Sequence, residues 1–105
     1  MRSIRDQIVV AARRKILYTQ HALDQMNKPE RLISRKEVEQ VVFQGEIVED
    51  YAEDSRGQSC LMLGKTNIDR FIHVVCAPKT DYLAIITAYP PNKEEWSSDF
   101  KKRKR

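Results

Sequence analysis

Two histidines, His21 and His73, are the side chains of this sequence that change charge near neutral pH. Around them stand Arg31, Arg70, Thr87, Tyr89 and the terminal run Lys101, Lys102, Arg103, Lys104 and Arg105. Metal-free RNA cleavage needs such groups: a base for the 2′-hydroxyl, an acid for the leaving 5′-oxygen and a cation for the crowded phosphorane. His21 falls in the first turn of a predicted short helix, where the helix dipole favours the neutral imidazole that suits a base. Arg31, in the linker after that helix, offers a cation, and Arg70 opens a predicted strand. Tyr89 ends another strand, where it can donate a proton or stack on a base, and Thr87 shares its strand face. Lys101, Lys102 and Arg103 can grip phosphates without sequence preference.

Each residue also has a plainer reading. His73 lies in the apolar run Phe71-Ile72-His73-Val74, the setting of a satisfied core histidine. His21 can bond nearby backbone, Arg31 can close a surface ion pair, and Tyr89 can simply pack on the sheet. Glu46, Glu49, Asp50, Glu53 and Asp54 oppose RNA near the first predicted strand and would have to face away from it. His21 and Asp24, at i and i+3, make a poor metal site with only two ligands. No cofactor is expected. Cys60 and Cys76 sit in apolar runs without zinc-ligand spacing and read as reduced core thiols.

The elements that would position these groups follow from periodicity. Ile4, Ile8, Ala12 and Ile16 recur every fourth residue and predict a helix from Ser3 to about Leu17. Thr19 is a natural N-cap for a second helix from Gln20 to Met26, which Asn27-Lys28-Pro29 ends. Ser34-Arg35-Lys36-Glu37 is a capping box, with Ile33 and Val38 at the staple positions and Val38, Val41 and Val42 as the buried stripe. Gly45 fits a left-handed helix end. From Glu46 the period becomes two. Strands are predicted at Glu46–Tyr51, with Ile47 and Tyr51 on one face and Val48 on the other, then at Ser59–Leu63, Arg70–Ala77 and Tyr82–Tyr89. Turns separate them at 54–57, 64–67 and 78–81. Trp96 and Phe100 are expected to fold back. Segregated helices and strands predict an α+β domain over residues 1–100, with N-terminal helices packed on a four-stranded antiparallel sheet and a basic disordered tail at 101–105.

The charge is uneven in a way the net +4 conceals. Residues 1–36 carry 9 basic and 3 acidic side chains, whereas residues 37–100 carry 5 basic and 12 acidic. That pattern suggests one side facing a polyanion rather than a uniformly basic nucleic-acid binder. No run approaches the ~20 apolar residues of a membrane span. The start, MRSIRDQIVVAARRK, has too short an apolar core for a secretory signal, so the expected location is cytoplasmic.

Four pieces carry a family likeness: His21-Ala22-Leu23 with Met26; Ile33-Ser34 with Glu37-Val38; Gly45-Glu46-Ile47-Val48 leading to Tyr51; and Ile72-His73-Val74-Val75 followed by Ile86-Thr87-Ala88-Tyr89-Pro90-Pro91 and Trp96. In order and spacing they resemble the bacterial domain-of-unknown-function family DUF 4258 over residues 18–100. That family is similar to the RelE-like and BrnT-like toxins of toxin–antitoxin pairs. The resemblance implies helices before a four-stranded antiparallel sheet, metal-independent endoribonuclease activity on RNA and a small antitoxin protein as partner. It also matches Arg31 to the family's linker arginine. The catalytic candidates are then His21, Arg31, His73 and Tyr89, with His21, Arg31 and Tyr89 expected in one cleft. A non-catalytic protein- or nucleic-acid-interaction domain of the same fold, with a homodimer or complex through an exposed strand, is the competing expectation.

Overall fold

Three hydroxyls start the helices. Ser3 accepts from the Asp6 amide, Thr19 from the Ala22 amide and Ser34 from the Glu37 amide, and each satisfies a donor that the first turn leaves open. The computed structural model describes residues 3–53 and 57–104. Its helices are α1 (Ile4–Arg14), α2 (Gln20–Met26) and α3 (Arg35–Gln44). Both halves of the capping box at α3 are made, and Ile33 and Val38 are buried in one core.

The sheet has five strands, not four: β1 (Ile16–Tyr18), β2 (Glu46–Tyr51), β3 (Ser59–Lys65), β4 (Phe71–Pro78) and β5 (Leu83–Tyr89), in the order β1-β5-β4-β3-β2. β2 to β5 form the expected antiparallel meander. The extra strand takes the end of the predicted first helix. Lys15 is extended, at φ −169° and ψ 144°, and Ile16–Tyr18 runs parallel to β5. The Leu83 amide donates to the Lys15 carbonyl and the Thr19 amide to the Ile85 carbonyl. Ile16 keeps the helical spacing, but Ile and Tyr also suit a strand, and the open edge of β5 pairs their backbone.

Gly45 is another correction. Its φ of −79° and ψ of −174° are extended, not left-handed. Close approach is what requires glycine there, because a Cβ would lie 2.5 Å from the Leu63 carbonyl oxygen and 2.6 Å from that of Val41. Both obstacles are backbone, so Gly45→Ala is expected to lower stability by about 1–3 kcal/mol, the usual cost of overpacking. Urea denaturation would measure it, and an unchanged midpoint would refute the steric account. Of the turn predicted at 54–57, only Gly57 is among the described residues, and its φ of +106° suits a glycine.

The sheet separates two cores. On one face Cys60, Met62, Ile72, Val74, Cys76, Leu83, Ile85 and Ala88 meet the buried stripes of the three helices. On the other, Leu61 and Leu63 lie under Trp96 and Phe100. Cys60 and Cys76 are register partners, both free and buried, with Sγ atoms 4.0 Å apart. Residues 101–104, expected in a disordered tail, instead continue the fold-back that buries Trp96 and Phe100. The Ser97 amide donates to the Lys102 carbonyl, the Lys104 amide to the Glu95 carbonyl, and Trp96 bridges Arg103. A basic run looks unable to order itself, but here it lies beside the carboxylates of β2. Among the described residues, no helix is long and apolar enough to cross a membrane.

Candidate active site

Register decides which side chains meet on the face away from the helices. Partners across antiparallel strands share a face. One row runs Glu46, Leu63, His73, Tyr89 from β2 to β5, and the next runs Glu49, Leu61, Val75, Thr87. Tyr89 therefore stands directly opposite His73, and Thr87 one row away. The rings of His73 and Tyr89 meet edge-on, with centroids 5.5 Å apart.

Glu49 reaches this face through a β-bulge between Ile47 and Glu49, which resets the alternation of β2. Ile47 packs on the helical core, while Val48 and Tyr51 pack on the opposite one. The predicted pairing of Ile47 with Tyr51, against Val48, is thus overturned by one extra residue. Glu49 thus lies on the sheet face away from the helices. Arg103 holds it bidentately, with Nε 2.9 Å from Oε2 and Nη2 3.0 Å from Oε1. The Tyr51 hydroxyl donates to the same carboxylate. The guanidinium also lies over the Trp96 ring, 4.7 Å from its centroid.

These neighbours set the protonation states. Arg103's hydrogen bonds, more than any other influence, hold the Glu49 carboxyl below its usual range, so it is ionised at neutral pH. Burial, followed by the bond to Glu49, pushes the Tyr51 phenol up to about 12. Burial also raises Tyr89, which feels the charges of Arg103 and Glu49. His73 is fully buried, and desolvation lowers its pKa and keeps it neutral. Its Nε2 bonds the Phe100 carbonyl at 2.9 Å, which makes Nε2 the protonated nitrogen, and its Nδ1 is buried without a partner. Trp96 covers the ring at 4.5 Å. Glu49 and Arg103 remain reachable, with side chains 24% and 56% exposed.

The four expected catalytic residues therefore divide. His73 and Tyr89 share the outer sheet face, whereas His21 and Arg31 belong to α2 and its linker. His21 is exposed one turn from Gln25, and Arg31 donates to the Gln25 amide oxygen at 2.7 Å. Among the described residues no hydrogen bond or ring contact joins His21 to Arg31, His73 or Tyr89. Through Ala22 and Met26, α2 packs into the helix-side core, and His21 lies on its exposed face.

Arg70, expected to meet RNA, is used inside the fold. It holds Glu37 through Nε at 2.7 Å and Nη2 at 2.8 Å, and donates to the carbonyls of Arg31 and Leu32. Lys101 pairs with Glu46 at 2.7 Å, so its charge is also met internally, while Lys102 is exposed. Glu49, Tyr51 and Trp96 were not identified as site residues from sequence. The i and i+2 spacing of Glu49 and Tyr51 was the available signal, but the bulge that aims them was not legible. Among the described residues, no three His, Cys, Asp or Glu side chains are grouped to hold a metal ion.

A family model described as "Domain of unknown function (DUF4258)" matches residues 18–90, which stops before the fold-back that carries Trp96 and Arg103. No curated protein and no solved structure matches the chain significantly.

Proposed function

We propose a function on one premise: the chain belongs to the DUF4258 family. The proposed activity is metal-independent endonucleolytic cleavage of RNA, in the manner of a RelE-like toxin held in check by a small antitoxin protein. The observation that carries it is the gathering of a carboxylate, a guanidinium, an imidazole and two phenols on the sheet face that the helices leave free. Glu49 takes the proton of a ribose 2′-hydroxyl, and the 2′-oxygen attacks the adjacent phosphorus. Arg103 offsets the charge that builds on the phosphorane. The bond from phosphorus to the 5′-oxygen breaks, Tyr89 gives that oxygen its proton, and a 2′,3′-cyclic phosphate remains. Neutral His73 is a positioning residue behind Tyr89. His21 and Arg31 take no part in these proposed steps.

The test is incubation of the purified chain with labelled single-stranded RNA, with and without EDTA, beside Tyr89→Phe. The expected result is EDTA-resistant cleavage that leaves cyclic phosphate ends, slowed at least 10-fold in the variant. RNA left intact by the wild type refutes the reading.

A second reading, a non-catalytic protein- or nucleic-acid-interaction domain, is favoured by the saturation of Glu49 by Arg103 and by the complete burial of His73. Stable retention of RNA without cleavage would support it.

A further inference from the structure

We propose that residues 92–104 form a displaceable lid over the Glu49–Tyr89 face, opened by a single-stranded polyanion whose phosphates take Arg103 and Lys101 from Glu49 and Glu46. The inference rests on the reading of that face as an RNA site and names how the site is regulated.

The first observation is the pattern of bonds. Every backbone–backbone hydrogen bond of this segment among the described residues is internal: Glu95 and Trp96 to Asn92, Phe100 to Ser97, Ser97 to Lys102, and Lys104 to Glu95. None joins it to the sheet ladder, so the segment can move without breaking a strand pair. Among the described residues its polar ties to the sheet are the Lys101–Glu46 and Arg103–Glu49 ion pairs, a hydrogen bond between Arg103 and Tyr51, and the bond between His73 and the Phe100 carbonyl. The Lys101–Glu46 pair is exposed, so it contributes little and is screened by salt, and the bidentate Arg103–Glu49 pair is the stronger tie. Phosphate oxygens offer the guanidinium the same bidentate geometry as the carboxylate they would replace.

The second observation is that closure carries uncompensated costs. Phe100, whose carbonyl and ring make the central contacts, has a φ of +61°, a left-handed conformation that a bulky residue rarely adopts. His73 Nδ1 is buried beneath the lid without a hydrogen bond. Lifting the lid relaxes the first and hydrates the second. It also frees Glu49 from the cation that suppresses its basicity, so the same phosphate that opens the site prepares its base. Apolar burial of Trp96 and Phe100 on Leu61 and Leu63 holds the lid shut when no polyanion is present.

Trp96 is the chain's single tryptophan, so its emission reports the lid directly. The full chain is titrated with an oligouridylate and, separately, with a single-stranded DNA oligomer, which lacks the 2′-hydroxyl and cannot be cleaved by the proposed route. Both are expected to red-shift Trp96 emission saturably and to raise its acrylamide quenching several-fold, with far-UV circular dichroism unchanged. Glu46→Gln, which loosens one tie outside the catalytic groups, is expected to raise quenching without nucleic acid. Emission that neither oligomer moves overturns the lid, whether or not RNA is cleaved. A shift without cleavage upholds the lid and refutes the ribonuclease reading.

Discussion

Arg70→Ala is expected to destabilise the fold by about 3 kcal/mol, read as a lower urea midpoint, because it leaves a buried carboxylate without its cation. The Glu37 side chain is only 8% exposed and that of Arg70 29%, which places the loss toward the lower end of the range for broken buried pairs. Two kinds of contact fail together. Glu37 loses both guanidinium bonds, and the carbonyls of Arg31 and Leu32 lose their donors, so the linker between α2 and α3 loses its anchor. Thr66 still donates to Glu37, and the capping-box bond to the Ser34 amide remains, so α3 should still start at the same residue.

The same pair predicts a pH dependence. Arg70's hydrogen bonds are the leading cause that holds the Glu37 carboxyl below its usual range. Its folded pKa is therefore lower than its unfolded one, and the pair contributes fully above the unfolded value of about 4.3. That contribution is lost as the pH falls through the depressed folded value. Wild-type stability should drop more steeply in acid than that of Arg70→Ala. Parallel acid limbs in the two proteins would contradict the assignment.

Glu49→Gln is expected to lower kcat on single-stranded RNA by about 100-fold or more, within the span for loss of a general base. The glutamine keeps an oxygen that can accept from Arg103 and Tyr51 but removes the charge of that tie, so the lid should loosen, as in Glu46→Gln, without being lost. KM should change little compared with kcat. The pH–rate profile separates this from mere loosening. Glu49 acts only when ionised, so wild-type kcat/KM, which reports the free enzyme, should decline in acid as the pH falls through its depressed value. The variant should lack that limb. On the alkaline side, burial raises Tyr89, which keeps its proton available through neutral pH. A variant that retained both full activity and the acid limb would remove Glu49 from the mechanism.

Much of the scaffold was legible in advance because its signals are local. Thr19 and Ser34 cap helices through bonds to residues three positions away. The stripe of Val38, Val41 and Val42 and the run Ile72–Ala77 announced a helix face and a central strand by period alone. The placement of His73 opposite Tyr89 was open, since register depends on where the β4–β5 bulge falls. The surroundings of His21 were open for a related reason. Residue type and helix position suggested a base, but only packing could say which side of the sheet α2 occupies.

What the sequence settled by itself was the order of elements, the helix starts and the segregation of helices from the meander, all set by interactions within a few residues. Tertiary structure decided the rest. It recruited Ile16–Tyr18 to an open sheet edge, turned Glu49 toward Arg103 through one bulged residue, committed Arg70 to Glu37, and laid a basic segment across acidic β2. Each of these depends on a partner distant in sequence, and the free energy of such a pairing exists only once the chain has brought its two ends together.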